Sequence, residues 1–179
     1  MLFLGSFPPP KARWSMDFFY PNYTNDFWRI MGLVHFGDKC YFEVQDEKRF
    51  DKTRIIGFAE HQGLAFFDTA TKVNRIKGNA SDNFLEIIEP TDIGALLAAM
   101  PLCNRLITTG GKASEELQKQ LSGASGILDD ETVSMPHIGN AITLNAFGRN
   151  IEWWRMPSSS RAYPLRLEKK AEEYRKLFC

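Results

Sequence analysis

Short apolar runs that stop at glycine or aspartate alternate along this chain with segments of helical character, and that alternation leaves few folds open. Leu2–Leu4 is an apolar run ended by Gly5, so it reads as a buried strand feeding a loop. Three consecutive prolines, Pro8 to Pro10, hold that loop, "GSFPPPKARWS", stiff and extended. A helix is expected from about Asp26 to Val34, with Asn25 or Thr24 as its cap. Residues 50–62 read as a helix, and "GLAFFDTATKV" as a second strand ending near Asp68. "PTDIGALLAAM" opens with Pro and Thr and reads as a helix. "NRLITTGGKASEELQKQL" reads as a strand, a glycine turn and a helix. "AITLNAFGRNIEWWRM" reads as two strands around a Gly148-Arg149-Asn150 turn. Pro164 is placed in the first turn of a last helix, whose apolar stripe is Leu167, Ala171, Tyr174 and Phe178. The expected class is α/β, a three-layer α/β/α sandwich with a short, mainly parallel central sheet, in a single domain over residues 1–179. Ligands of such sheets bind beyond the carboxyl ends of the strands. Three loops are expected to leave those ends and to converge on one cleft: residues 5–25, Asp68 to Asn74, and residues 157–163.

Composition narrows the function classes. With 22 Lys and Arg against 22 Asp and Glu, the net charge is zero, which argues against a protein that coats nucleic acid through a broad positive field. From Gly148 onward, however, eight bases face four acids, a local excess of +4. A solvated helix face covers much of that excess, but not Arg161, which falls in a loop. The three cysteines are far apart and form no CxxC pair, so free thiols, no metal and no redox cofactor are expected, in a cytoplasmic setting. No apolar run reaches membrane-spanning length, and "MLFLGSFPPP" lacks the positive region of a signal peptide. "TTGGKAS" fails as a phosphate loop, because the first glycine of that spacing would fall at Leu106. There is no GxSxG or HExxH, and His35, His61 and His137 show no ligand spacing.

The stretch "FFYPNYTNDFWRIMG" carries more rings than a turn and a helix cap require. Together with "LFLGSFPPP" before it and "WRMPSSSRAYPLRLEKKAEEYRKLF" far after it, it resembles the uracil-DNA glycosylase superfamily. The likeness is greatest to the mismatch-specific and hypoxanthine-DNA glycosylase branches. Gly5–Pro8 correspond to the first motif, Asn25–Trp28 to the second, and Met156–Arg161 to the Pro-Ser loop before the last helix. The resemblance departs at Phe7 and Met156, where the most active uracil enzymes carry Asp and His. It departs again near Asn22 and Tyr23, where a His is usual. The hypoxanthine-type branch also lacks the first-motif acid and relies on the asparagine that here is Asn25.

The resemblance implies a monofunctional DNA glycosylase, a monomer acting on DNA, that flips a deaminated or mismatched base such as uracil or hypoxanthine and hydrolyses its N-glycosidic bond. Extruding a nucleotide costs roughly a few kcal/mol, and base–aromatic stacking returns on the order of 1–3 kcal/mol. Phe19 or Tyr20 is therefore the expected floor for the base and Phe7 a second wall. The backbone amides of Gly5, Ser6, Phe7 and the Pro8 loop face a base carbonyl. Asn25 either positions the attacking water through its side-chain oxygen or caps the helix. Asp68 either orients that water or caps a turn. Trp28 and Phe27 read as core. Pro157, Ser158, Ser159 and Ser160 are expected against the DNA backbone, with Arg161 filling the space left by the base. Two other readings stand beside this one: a small-molecule or nucleotide-binding hydrolase on the same scaffold, and a DNA-binding relative without catalysis.

Overall fold

A computed structural model describes residues 1–76, 85–125 and 132–179. The fold is mixed α/β, with a mainly parallel central sheet flanked by helices. Packing divides the chain into two compact units, each discontinuous in sequence: Met1–Phe7 with Ala65–Met156, and Pro8–Leu64 with Pro157–Cys179.

The first unit contains the sheet. Its strands are β1 (Leu2–Gly5), β2 (Ala65–Asp68), β5 (Arg105–Thr109), β6 (Asn140–Ala146) and β7 (Arg149–Met156), in the order β2-β1-β5-β7-β6. All neighbours are parallel except β6, which runs antiparallel to β7 at one edge. β1 is thus an interior strand, although β5 occupies the middle. Leu2 and Leu4 share one face with Leu106, Ile151 and Trp153, and pack on Ile93 and Leu97 of α3 (Ile93–Ala99) and on Leu117 and Leu121 of α4 (Gly111–Ala124). Side chains alternate across a strand, so Phe3 and Ile107 face the other way, and both are buried too. Burial on both faces is what continuous apolar runs such as "LFL" encode.

Several boundaries differ from expectation. β2 stops at Asp68, and Ala70–Arg75 form a separate strand, β3, paired antiparallel with β4 (Leu85–Pro90) in a two-stranded sheet. The expected loop from Asp68 to Asn74 is therefore mostly strand. Pro90 closes β4, and α3 is capped by Asp92, whose carboxylate accepts from Ala95 N at 2.9 Å. The β6–β7 turn is made by Phe147 and Gly148, with φ of 52° and 71°, so Arg149 and Asn150 already belong to β7. Two successive positive φ values give the twist that a tight hairpin needs.

The second unit is built from helices α1 (Phe27–Phe36), α2 (Lys52–His61) and α5 (Leu167–Arg175). Its core contains Phe27, Trp28, Phe42, Phe50, Phe58 and Tyr174, rings that meet largely edge to face. α1 packs on α5, and a β-carbon on Gly32 would stand 2.4 Å from the Asp38 carbonyl oxygen, so only glycine fits there. The last helix begins at Leu167, later than Pro164 suggests.

Two measurable consequences follow from buried polar groups. In the first unit, Ser114 Oγ and Trp153 Nε1 both reach Thr108 Oγ1, at 2.9 and 3.0 Å. Thr108→Val keeps the shape but strands the buried Trp153 indole N–H, while Ser114 Oγ keeps its bond to Gly110 O at 2.8 Å, so denaturant unfolding should show a loss of about 1–3 kcal/mol. In the second unit, burial among Phe58 and Phe178 lowers the His35 pKa, and its Nε2 has no partner among the described residues. The folded state then binds fewer protons than the unfolded one below the ordinary imidazole value of roughly 6.5. Stability should be full above that pH and decline as pH falls through it; His35→Phe should flatten this limb in unfolding titrations.

Candidate functional site

In the first unit the register of the sheet sets out a row of strand ends. Asp68 pairs with Gly5, and Thr109 with Met156, while Thr109 Oγ1 reaches Leu4 O at 3.4 Å. Asp68, Gly5, Thr109 and Met156 thus lie at the carboxyl edge of four adjacent strands, where parallel sheets bind ligands. The Asp68 carbonyl accepts from Thr91 Oγ1 at 2.6 Å, and Thr69 N donates to Gly5 O at 2.8 Å. Those bonds tie the end of β2 to β1 and to the segment before α3. Ser6 is nearly buried beyond Gly5. Phe7 lies under the Arg75 guanidinium, 5.7 Å from ring centre to charge. Phe7 leads into the prolines and Met156 into the serine loop.

In the second unit the proline loop folds back on the aromatic stretch. Trp14 Nε1 donates to Pro9 O at 2.7 Å, Ser15 holds Pro21 O, and Trp14 bridges to Asn22. The rings of "FFYPNYTNDFW" have definite places. Tyr20 has φ of 51°, rare for a bulky residue, and its ring lies flat on buried Phe27, with centroids 3.8 Å apart and an angle of 5°. Phe18 packs edge-on against Phe19, and Trp28 Nε1 donates to the Phe19 carbonyl at 3.0 Å. Trp28 and Phe27 are core, as expected.

The polar residues of this turn are committed to local bonds. Asn22 Oδ1 accepts from Thr24 N and Thr24 Oγ1. Tyr23 donates its hydroxyl to Glu43 at 2.6 Å, and that bond, with burial, raises its pKa. Neither therefore stands in for a titrating histidine. The N-cap position of α1 is Asp26, whose side chain makes no cap bond, not Asn25 as expected; Asn25 Oδ1 instead makes a cap bond from one residue earlier, accepting from Phe27 N at 2.8 Å. Arg29 braces the turn from below, donating to the carbonyls of Tyr23 and Asn25 while paired with Glu43 at 2.6 Å.

This turn and the serine loop meet. Asp26 N donates to Ser159 O at 2.9 Å, and Asn25 bridges to Ser160. Ser158 Oγ accepts from Ser160 N, and Ser160 Oγ accepts from Ala162 N, each at 3.2 Å. Those two hydroxyls spend an acceptor site on the loop itself and keep a proton to donate. Ser159 is 3% exposed, so what it offers is its carbonyl to Asp26 N, whereas Ser158 and Ser160 are half-buried. Pro157 is buried, its carbonyl accepting from the Tyr174 hydroxyl at 2.9 Å. Complete burial pushes the Tyr174 pKa well above the ordinary phenol value, which keeps it a neutral donor.

Two residues that sequence reasoning missed organise this loop. Asp26 is nearly buried. Its Oδ1 accepts from Arg161 Nε at 3.0 Å and its Oδ2 from Lys170 Nζ at 3.2 Å. Lys170 is 1% exposed and also donates to Ser160 O at 2.7 Å. The signal was present: Lys170 lies three residues after Leu167 and four before Tyr174, on the apolar stripe of α5, where a lysine requires a buried partner. Among the described residues no three His, Cys, Asp or Glu side chains form a group that could hold a metal ion. No helix among them is long and apolar enough to cross a membrane.

Comparison with family models and with curated proteins gives no match. Among solved structures the chain is similar to a protein from Methanosarcina acetivorans, determined by solution NMR and described as a candidate uracil DNA glycosylase. Identity is 21%, the TM-score is 0.62, and the match covers 99% of this chain and 90% of that one. At that identity the likeness establishes a shared fold.

The Asp26 triad separates a structural cation from a peripheral one. Lys170→Met leaves a buried carboxylate without its enclosed partner and should cost about 3–5 kcal/mol. Arg161, whose side chain is 50% exposed, should cost no more than about 1 kcal/mol when replaced by Ala. Urea unfolding of the two variants measures the difference.

Proposed function

We propose that the chain is a monofunctional DNA glycosylase that hydrolyses the N-glycosidic bond of a flipped base. The observation that carries this reading is the meeting of two motif segments some 135 residues apart. The Asn25–Asp26 turn and the Ser158–Arg161 loop are joined by backbone and side-chain bonds. The shared fold with a protein described as a candidate uracil DNA glycosylase supports it.

Each part has a physical task. Tyr20, with Phe27 behind it, is a rigid ring suited to stack a base, and the strained backbone of Tyr20 fits a residue held for function rather than for folding. Phe19 belongs to the same turn. The amides of Gly5, Ser6 and Phe7 stabilise the charge that builds on the departing base as the C1′–N bond breaks and its electron pair moves to the base nitrogen. With Phe7 in place of an acid, the leaving base is stabilised by these dipoles rather than protonated by a carboxyl group. Water attacks the oxocarbenium-like C1′ and gives up its proton to solvent or base. Asn25 positions that water through the remaining lone pair of Oδ1, the first being held by Phe27 N. In the first unit, Asp68 is the carboxylate at the strand ends that could orient a water. Ser158, Ser160 and Arg161 contact the DNA backbone. The substrate is uracil, hypoxanthine or a similar deaminated or mismatched base. A DNA-binding relative without catalysis is the second reading, favoured by the cap bond that already occupies Asn25.

A release assay across duplexes bearing single uracil, hypoxanthine or mismatched thymine lesions tests the proposal directly; an abasic product from none of them leaves the inactive binder. Asn25→Ala should lower single-turnover cleavage by about 10²-fold with little change in binding, and should cost about 1 kcal/mol of stability through the lost cap. Asn25→Ser restores the cap. If it also restores cleavage, the water site moves to Asp68.

A further inference from the structure

We propose that Asp26 and Lys170 are positioning residues that hold Arg161 as a fork for a nucleic-acid phosphate, an inference that rests on the DNA-binding reading above. A guanidinium has five N–H donors in one plane. Asp26 takes the one on Nε, at 3.0 Å, and among the described residues no bond engages the two terminal nitrogens. Half of the Arg161 side chain is exposed. The two terminal nitrogens, which keep four N–H donors between them, match two phosphate oxygens, and the carboxylate behind fixes the plane in which they are offered.

An arginine paired with a carboxylate usually loses its pull on an anion, since the two charges cancel. Lys170 removes that difficulty. It is enclosed, bonded to Asp26 Oδ2 and to Ser160 O, and its charge offsets that of Asp26. One carboxylate and two cations leave the group at +1, and the outward member is Arg161. The same lysine sets the backbone beside the fork through Ser160, whose hydroxyl has a proton to donate. The surrounding unit favours an anion as well. Pro8–Leu64 with Pro157–Cys179 carry fourteen Lys and Arg against eleven Asp and Glu, a net +3 within a chain of zero net charge.

A phosphate fork and a residue that fills a vacated base stack differ in their response to strandedness. Affinity is measured for a lesion-free DNA duplex and for one of its strands over a range of salt. Arg161→Ala should weaken binding about five- to tenfold on both. The slope of log affinity against log salt should shrink by about 0.9 on duplex and about 0.7 on single strand, one phosphate in each case. Arg161→Lys should retain the slope and still bind less well than wild type, because a point charge is no fork. Asp26→Asn should weaken binding in the presence of Arg161 and have no effect in the Arg161→Ala background. The Arg161 Nε–H resonance should remain protected from exchange in both free and DNA-bound protein, a readout that needs no variant and survives a failure of Asp26→Asn to fold. A loss confined to duplex, an unchanged slope, independent effects of Asp26 and Arg161, or loss of Nε–H protection on binding would each overturn the proposal. Wild type that shows the Arg161-dependent slope but releases no base removes the glycosylase reading and leaves the fork. Base release with a slope indifferent to Arg161 does the reverse.

Discussion

A carboxylate placed in a protein interior must be neutralised where it stands, and Asp26 organises the second unit around that need. Its two oxygens draw Lys170 from the last helix and Arg161 from the serine loop, while its own amide takes the Ser159 carbonyl. The isolated pair would add little net stability, because the desolvation of two charges offsets most of their attraction. What it does confer is uniqueness of place. The loop has no regular secondary structure. It is held by three consecutive attachments, at the carbonyls of Pro157, Ser159 and Ser160, each from a buried or nearly buried donor. A loop fixed in this way can present hydroxyl protons and a guanidinium with little ordering left to do on binding.

The first unit reaches comparable definition by other means. Its strand ends are aligned by the ladder itself, so that Asp68, Gly5, Thr109 and Met156 follow from the register of four strands. Both faces of β1 are buried, so register there is set by side-chain shape: a slip by one residue would exchange Leu2 and Leu4 with Phe3 in packed surroundings. The row is sparse in titrating groups: of Asp68, Gly5, Thr109 and Met156, Asp68 alone carries a carboxylate. Chemistry at such an edge depends on dipoles and position, the kind of catalysis that an amide such as Asn25 can also supply.

The aromatic stretch shows how far a local pattern carries. Phe27 and Trp28 were legible as core from their place in the first turn of α1. The stacking of Tyr20 on Phe27 was not, because it requires a left-handed backbone at a tyrosine, which no propensity favours and only surrounding structure enforces. Asn25 was legible as a helix-start residue, and it bonds the first helical amide, although the N-cap position itself falls to Asp26. Lys170 was readable as an anomaly on an apolar stripe, but its partner lies 144 residues earlier, and no spacing rule spans that distance.

By itself the sequence determined the alternation of strand and helix, the burial of "LFL" on both faces, the stop at Gly5 and the stiffness of the prolines after it. These rest on interactions among neighbouring residues, which periodicity and turn chemistry report faithfully. Only the tertiary structure decided that Ala70–Arg75 leave the main sheet to pair with β4, that Ser159 is buried while Ser158 and Ser160 are half-buried, and that one carboxylate collects two cations. Those outcomes depend on which buried donors and acceptors remain unmatched once the elements have packed, and that account closes only in three dimensions.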